Sequence, residues 1–311
     1  MRVAFFGTPE IAVPVLRAVA AHHEMAAVVC QPDRPQGRGK KPVPPPVKVC
    51  AQELGIPMHQ PEKLNDGTFE SWLRALAPEI GVVAAYGRLL KQPILDIPPK
   101  GWLNFHPSLL PRHRGPSPIQ TAILEGDTET GVSIMQIMLD MDAGDVLLQE
   151  ATPIGPDENA AELAARLATM GAALMVEGLR LVASGEARFT SQDPTKVTVT
   201  RLIEKEDGRI RWDRSAQSIH NQVRACIPWP VAHCLYGGEV CRIHRSAVIP
   251  ENAGASPGTI VAVERDRVLV ATGEGRLAIL AFQMPGKRVM TMAEYLRGHA
   301  MQVGERFEEI R

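Results

Sequence analysis

Met1-Arg2-Val3-Ala4-Phe5-Phe6-Gly7-Thr8-Pro9-Glu10 opens the chain, and its reading decides the fold. Val3 to Phe6 is an unbroken apolar run, the pattern of a strand buried on both faces between helix layers. Gly7-Thr8-Pro9 turns the chain, after which Ile11, Val15, Ala18 and Val19 recur at helical spacing over 11–21, and a second apolar strand covers 26–30. This β-α-β start predicts an α/β, Rossmann-like N-terminal domain with a mostly parallel sheet. Gly7-Thr8-Pro9-Glu10 lacks the Gly-x-Gly-x-x-Gly of dinucleotide sites, which disfavours a nicotinamide-dependent oxidoreductase.

Downstream, residues 31–48 combine eight turn-forming Pro and Gly residues with Arg34, Arg38, Lys40, Lys41 and Lys48 against the one acid Asp33. Such a segment is expected to form a long, mobile, cationic loop without a regular element. Then follow a helix over 47–54, a buried strand over 80–85, a strand over 102–105, a helix over 119–124 and strands over 131–138 and 146–151. Asn159 and Glu162 have the spacing of a helix capping pair, and Leu163, Leu167, Met170 and Leu174 continue one apolar face to a stop near Gly185. The first domain therefore spans 1–188, and 189–205, with Asp193-Pro194 and alternating Val and Thr, is an extended linker. From 206 to 311, turn signals recur at Asp207-Gly208, Gly237-Gly238, Pro257-Gly258, Gly273-Glu274-Gly275 and Pro285-Gly286 around a helix over 215–226. Closely spaced turns between β-rich runs favour a small, OB-like β-barrel.

The 311 residues suit two domains, and 45% hydrophobic content supplies their cores. A net charge of −1 means that a polyanion must be held by a local patch, and 5% aromatic content argues against binding mainly by base stacking. Five cysteines without a Cys-x-x-Cys pair read as buried thiols rather than as a zinc site of Cys234, Cys241 and His244. No charged-then-apolar leader opens the chain and no apolar run reaches spanning length, so a cytoplasmic enzyme is expected.

The chemistry concentrates in Leu103-Asn104-Phe105-His106-Pro107-Ser108-Leu109-Leu110-Pro111 and in Asp142-Ala143-Gly144. Alternate side chains of an extended segment share a face, so Asn104 and His106 point one way and Phe105 the other, until Pro107 ends the pairing. Each residue alone has a structural explanation in turn chemistry or a satisfied hydrogen bond. Together with His113-Arg114-Gly115-Pro116-Ser117-Pro118-Ile119-Gln120, however, the segment resembles the 10-formyltetrahydrofolate-dependent formyltransferases, and the resemblance implies Asn104, His106 and Asp142 as the catalytic set. Asn104 would stabilise the developing oxyanion; His106 could donate when protonated or accept the amine proton when neutral; Asp142 would orient it.

Gln31-Pro32-Asp33-Arg34-Pro35, Gly37-Arg38-Gly39-Lys40-Lys41, Lys205-Glu206-Asp207-Gly208, Asn221-Gln222-Val223-Arg224-Ala225, Pro228-Trp229-Pro230 and Gly286-Lys287-Arg288 resemble the tRNA-directed branch of that family. That likeness implies formyl transfer from 10-formyltetrahydrofolate to methionyl initiator tRNA by a monomer, with no metal. It implies a pterin-binding loop at Tyr86-Gly87-Arg88-Leu89-Leu90, whose backbone reads the polar edge, and a second wall at Ser108, Leu109, Leu110 and Pro111. Tyr86, Arg88 and Leu90 thus join the co-substrate contacts, although core packing explains the leucines equally well. Arg38, Lys40 and Lys41 would meet tRNA phosphates, beside a barrel of a kind often used as a nucleic-acid platform. A formyltransferase acting on a nucleotide-sugar amine, a formyltetrahydrofolate hydrolase and a non-catalytic RNA-binding protein are the competing readings.

Overall fold

The computed structural model describes residues 1–36 and 41–310, with Gln36 and Lys41 as backbone only. The opening run forms β1 (Arg2–Gly7), and a single 3-10 turn leads into α1 (Val13–His22), which places Pro14 in the first turn where no backbone donor is needed. β2 (Glu24–Val29) is followed by two short strands, β3 (Arg34–Gln36) and β4 (Lys41–Val43), which pair with each other and, among the described residues, with no other strand. This corrects the expectation that 31–48 holds no regular element. Pro35 faces Pro42 in a two-stranded ribbon whose every residue lies on an edge, a position that tolerates a missing donor.

α2 (Pro46–Glu53), β5 (Met58–His59), α3 (Thr68–Ala75), β6 (Ile80–Ala84), α4 (Gln92–Leu95), β7 (Trp102–His106), α5 (Pro118–Glu125), β8 (Glu129–Gln136), β9 (Val146–Pro153) and α6 (Ala160–Ser184) complete the first half. The sheet order is β5-β2-β1-β6-β7-β8-β9. The first five strands run parallel, and β8 and β9 are antiparallel to their neighbours. Val3, Ala4, Phe5 and Phe6 are fully buried, as their unbroken run requires. Phe6 meets Trp102 and Tyr86 edge-on, with ring centroids 4.8 and 5.2 Å apart.

α6 starts where its capping pair puts it: Asn159 Oδ1 accepts from the Ala161 and Glu162 amides, and Glu162 Oε2 accepts from the Asn159 amide. At 25 residues, α6 is long and apolar enough to cross a membrane by length and composition, contrary to the expectation from apolar runs. Its apolar side is used within the fold, with Leu167, Met175 and Leu179 fully buried and Gly171 against the ring of Phe105.

α7 (Ala216–Ala225) then precedes β10 (Ala232–Tyr236), β11 (Glu239–Ile249), β12 (Ile260–Val263), β13 (Val268–Ala271), β14 (Arg276–Gln283), β15 (Met290–Thr291), α8 (Met292–Leu296) and β16 (Phe307–Glu308). These strands form an antiparallel sheet in the order β12-β13-β14-β11-β10-β16, with β15 added beside β14. The two ends of that path are joined by hydrogen bonds, Ile260 N to Glu305 O and Phe307 N to Gly258 O, each 2.8 Å, so the sheet closes as the turn spacing implies. Trp212, Ile243, Val270, Phe282 and Phe307 fill its interior. All five cysteines are buried thiols; Cys234 and Cys241 face each other across β10 and β11, and His244 bonds Gln283 instead of joining them.

Two compact units result, one of residues 1–118, 129–153 and 164–200, the other of 119–128, 154–163 and 201–311. A cut in chain order at 188 and 206 is not how the contacts divide the chain. Residues 189–200 are no spacer, because Thr190 bridges to Val146 and Val199 to Arg114, which builds that stretch into the first unit.

A Cβ at Gly171 would lie 2.1 Å from Cε2 and 2.3 Å from Cδ2 of Phe105, a residue that is itself 2% exposed. Gly171→Ala should lower stability by about 1–3 kcal/mol through overpacking, more than the ~1 kcal/mol that helix propensity returns. Gly178→Ala, whose nearest new neighbour is the flexible Leu147 Cδ2 at 3.3 Å, should cost less. Denaturant unfolding of the two variants measures the difference.

Candidate active site

Crossing from β1 to β2 on one side and to β6 on the other creates a switch in strand order, and a doubly wound sheet opens its crevice beyond the carboxyl ends at that point. The loops there are tied together. Thr8 Oγ1 donates to Tyr86 O at 3.0 Å, and Gln31 Nε2 donates to both Tyr86 O and Gly87 O at 3.1 Å. Gly87 has φ +80, and a Cβ on it would lie 2.7 Å from Gln31 Nε2, so the loop requires glycine here.

This loop presents less side chain than the sequence suggested. The Tyr86 ring lies in the core with its hydroxyl buried and without a partner among the described residues, and burial pushes its pKa up to about 12. Leu90 is buried in the same cluster, and Arg88 Nη1 donates to the carbonyls of Pro61 and Glu62. Leu89, 72% exposed, and the backbone around it are what the loop offers to a ligand.

β7 carries Asn104, half-buried, one pleat before His106, which is 4% exposed. His106 Nε2 lies 3.0 Å from His113 O, and because a carbonyl only accepts, this contact assigns the proton to Nε2. Nδ1 then carries the lone pair of the neutral ring and faces Asp142 Oδ2 at 3.7 Å. Burial lowers the pKa of His106 from its ordinary value, with the Asp142 carboxylate and the His113 carbonyl opposing. Asp142, in left-handed backbone with φ +51, accepts from the Gly115 amide through Oδ2 at 2.8 Å. Its turn lies tight against the end of β8, since a Cβ on Gly144 would fall 1.9 Å from Gln136 O.

The second wall is pinned from beneath. Ser133 Oγ donates to Ser108 O at 2.6 Å and accepts from Leu110 N and from Gln149 Nε2, which fills all three of its hydrogen-bonding positions. Ser108 is fully buried and bonds Arg112 O, and Leu110 is 5% exposed. Leu109 and Pro111 are half-buried and are the members of this wall left to present a surface.

The fold thus brings Asn104, His106 and Asp142 together at the carboxyl end of β7. Of the co-substrate candidates, Tyr86, Leu90, Ser108 and Leu110 are built into the scaffold, and Arg88 braces its loop. Arg38 and Lys40 lie outside the described residues, and Lys41 enters only as backbone of β4. Thr8 reads in the sequence only as a turn residue and Gln31 only as part of the Gln31–Pro35 stretch, although each follows the carboxyl end of a parallel strand, where a doubly wound sheet opens its crevice.

Residues 1–179 match the formyl transferase family and residues 202–300 the formyl transferase C-terminal domain. Methionyl-tRNA formyltransferase of Moorella thermoacetica is 45% identical over 306 residues, 98% of either chain. The Sorangium cellulosum enzyme of that name is 44% identical, also over 98% of each. Among solved structures, an N-formyltransferase from Helicobacter canadensis shares the fold at a TM-score of 0.69 and 19% identity, covering 91% of this chain and 98% of the other. The sugar 3N-formyl transferase WlaRD does so at 0.68 and 17%, covering 93% and 99%.

A folded-state pKa below the ordinary value of about 6.5 means that the unfolded chain binds the proton more readily, so the His106 contribution to stability is complete above that pH and is lost as pH falls through it. His106→Asn should flatten the fall in unfolding free energy between about pH 7 and 5 relative to the parent. His220 and His244, also lowered by burial, remain in both proteins and cancel in the difference. Denaturant titrations across that pH range supply the comparison.

Proposed function

The chain belongs to the formyl transferase family, and from its 44–45% identity to full-length methionyl-tRNA formyltransferases we infer that it transfers the formyl group of 10-formyltetrahydrofolate to the α-amino group of methionyl-tRNA. The observation that supports the catalytic assignment is the convergence of a half-buried amide, a buried neutral imidazole and a carboxylate at one strand end.

The amine lone pair attacks the formyl carbon, and negative charge moves to the formyl oxygen. Asn104, half-buried on β7, donates a side-chain N–H to that oxygen. The nitrogen that has attacked must lose a proton. With Nε2–H committed to His113 O, Nδ1 is the accepting edge of His106, and Asp142 beside it stabilises the imidazolium that forms. Collapse breaks the bond between the formyl carbon and N10 of the folate, and the proton passes on to that nitrogen. The co-substrate enters over Leu89, Leu109 and Pro111, with the backbone of the loop after β6 at its polar edge.

Arg38, Lys40 and Lys41 hold the tRNA phosphates, supported by the excess of positive charge in 31–48. The C-terminal barrel adds further tRNA surface, and the chain works as a monomer in the cytoplasm.

Asn104→Ala should lower kcat by about 10²-fold with little change in folate affinity, because the donor acts on charge that exists only in the tetrahedral state. Single-turnover kinetics with folate binding measured alongside decides this. Replacing Arg38, Lys40 and Lys41 together by Ala should raise the KM for methionyl-tRNA and flatten its salt dependence by ~2 to 3 logarithmic units. An unchanged salt slope would remove these three residues from the tRNA contact.

A further inference from the structure

Asp142 sits in left-handed backbone, which costs a non-glycine residue on the order of 1 kcal/mol, so the surrounding structure must hold it there. Gln192 does so through its side-chain amide. Its Nε2 donates to Asp142 O at 2.9 Å and to Gly144 O at 2.7 Å, while its Oε1 accepts from Arg114 Nε at 3.0 Å and Arg114 Nη2 at 2.7 Å. Both N–H groups and both lone pairs of the amide are used, which fixes its plane and its orientation. The guanidinium on one side and the two carbonyls on the other make the amide irreplaceable by a carboxylate, which cannot donate.

Arg114 belongs to a segment that reaches the catalytic pair three ways. His113 O accepts from His106 Nε2, the Arg114 side chain grips Gln192, and Gly115 N donates to Asp142 Oδ2. The segment is itself fixed by main-chain bonds from Arg114 N to Thr198 O and from Thr200 N to Arg114 O. The imidazole and the carboxylate are therefore set by one three-residue segment and one amide, and the 3.7 Å between Nδ1 and Oδ2 is the distance this frame imposes.

We propose that Gln192 and Arg114 are positioning residues, which fix the Asp142 carboxylate against Nδ1 of His106 for the proton transfer of formyl transfer. The inference rests on the catalytic reading of His106 and Asp142 given above. Neither residue touches the reacting atoms. Misplacement of a catalytic group by about 1 Å can cost up to 10²-fold in rate, which sets the scale of the effect.

The test compares Gln192→Ala and Gln192→Glu, each alone and combined with Asp142→Asn, with Asp142→Asn by itself as reference. Measured are kcat and its pH dependence, the KM for 10-formyltetrahydrofolate and the unfolding midpoint. Gln192→Glu keeps the grip on Arg114 but turns a carboxylate toward two carbonyls, so it tests positioning even where the alanine variant folds poorly. Each single variant is expected to lose roughly tenfold or more in kcat, to shift the pH dependence of kcat and to leave folate KM within about twofold. In the Asp142→Asn background the Gln192 changes should add little, because their target is already removed. Parental kcat and pH dependence in Gln192→Glu, or a full multiplicative loss on top of Asp142→Asn, would overturn the positioning role while leaving the catalytic reading in place. Parental turnover in Asp142→Asn itself would sink that reading and the inference with it.

Discussion

The pairing of β7 on both sides is the constraint on which the site depends. It lies parallel to β6 and antiparallel to β8, with Asn104 opposite Val83 on one flank and Met135 on the other. A slip of one residue in either pairing would turn Asn104 and His106 toward α6 and bring Phe105 to the crevice. That slip is forbidden from both faces: Phe105 is seated against Gly171, and Trp102 fills the space above Gly81, where a Cβ would lie 2.0 Å from its ring. Core packing therefore sets catalytic geometry, and the register is the link between them.

Burial then does to His106 what its neighbours alone would not. A carboxylate nearby favours an imidazolium, but with the ring almost wholly removed from water the neutral form prevails, and a backbone carbonyl selects the tautomer. The arrangement is ready to take up a proton, since both the charge and the hydrogen bond that would stabilise the imidazolium are already in place. Ser133 has the corresponding part in the second wall, where one hydroxyl bonds the buried Ser108 carbonyl and Leu110 amide and the Gln149 side chain, and so ties Ser108 to Leu110.

Much of this was legible because it rests on local physics. The unbroken run Val3–Phe6, the Asn159 and Glu162 capping pair, the stop near Gly185 and the alternation along 102–106 are patterns that a short window reveals, and each appears where it should. What escaped depends on partners distant in sequence. The β3–β4 ribbon was hidden because Pro35 and Pro42 read as breakers until each is seen opposite the other on an exposed edge. Gln192 carried no signal, since nothing near it in sequence shows that its amide meets Asp142 fifty residues earlier. Tyr86 and Leu90 lie in a segment resembling a ligand loop, and only tertiary packing shows that their side chains face inward.

The second compact unit is assembled from three stretches of chain, and His220 and Arg224 stitch one of them, 154–163, to α7. His220 Nε2 donates to Pro156 O, and Arg224 Nη1 donates to Gly155 O and Glu158 O, all across more than sixty residues of chain. During synthesis the segments 119–128 and 154–163 leave the ribosome well before α7 exists to receive them, so this unit closes only when translation is nearly complete. No single cut in chain order reproduces these two units. A fragment ending at 188 would carry α5 and the start of α6 with their intended partners missing, so any working division of the protein must follow its contacts and not the order of its residues.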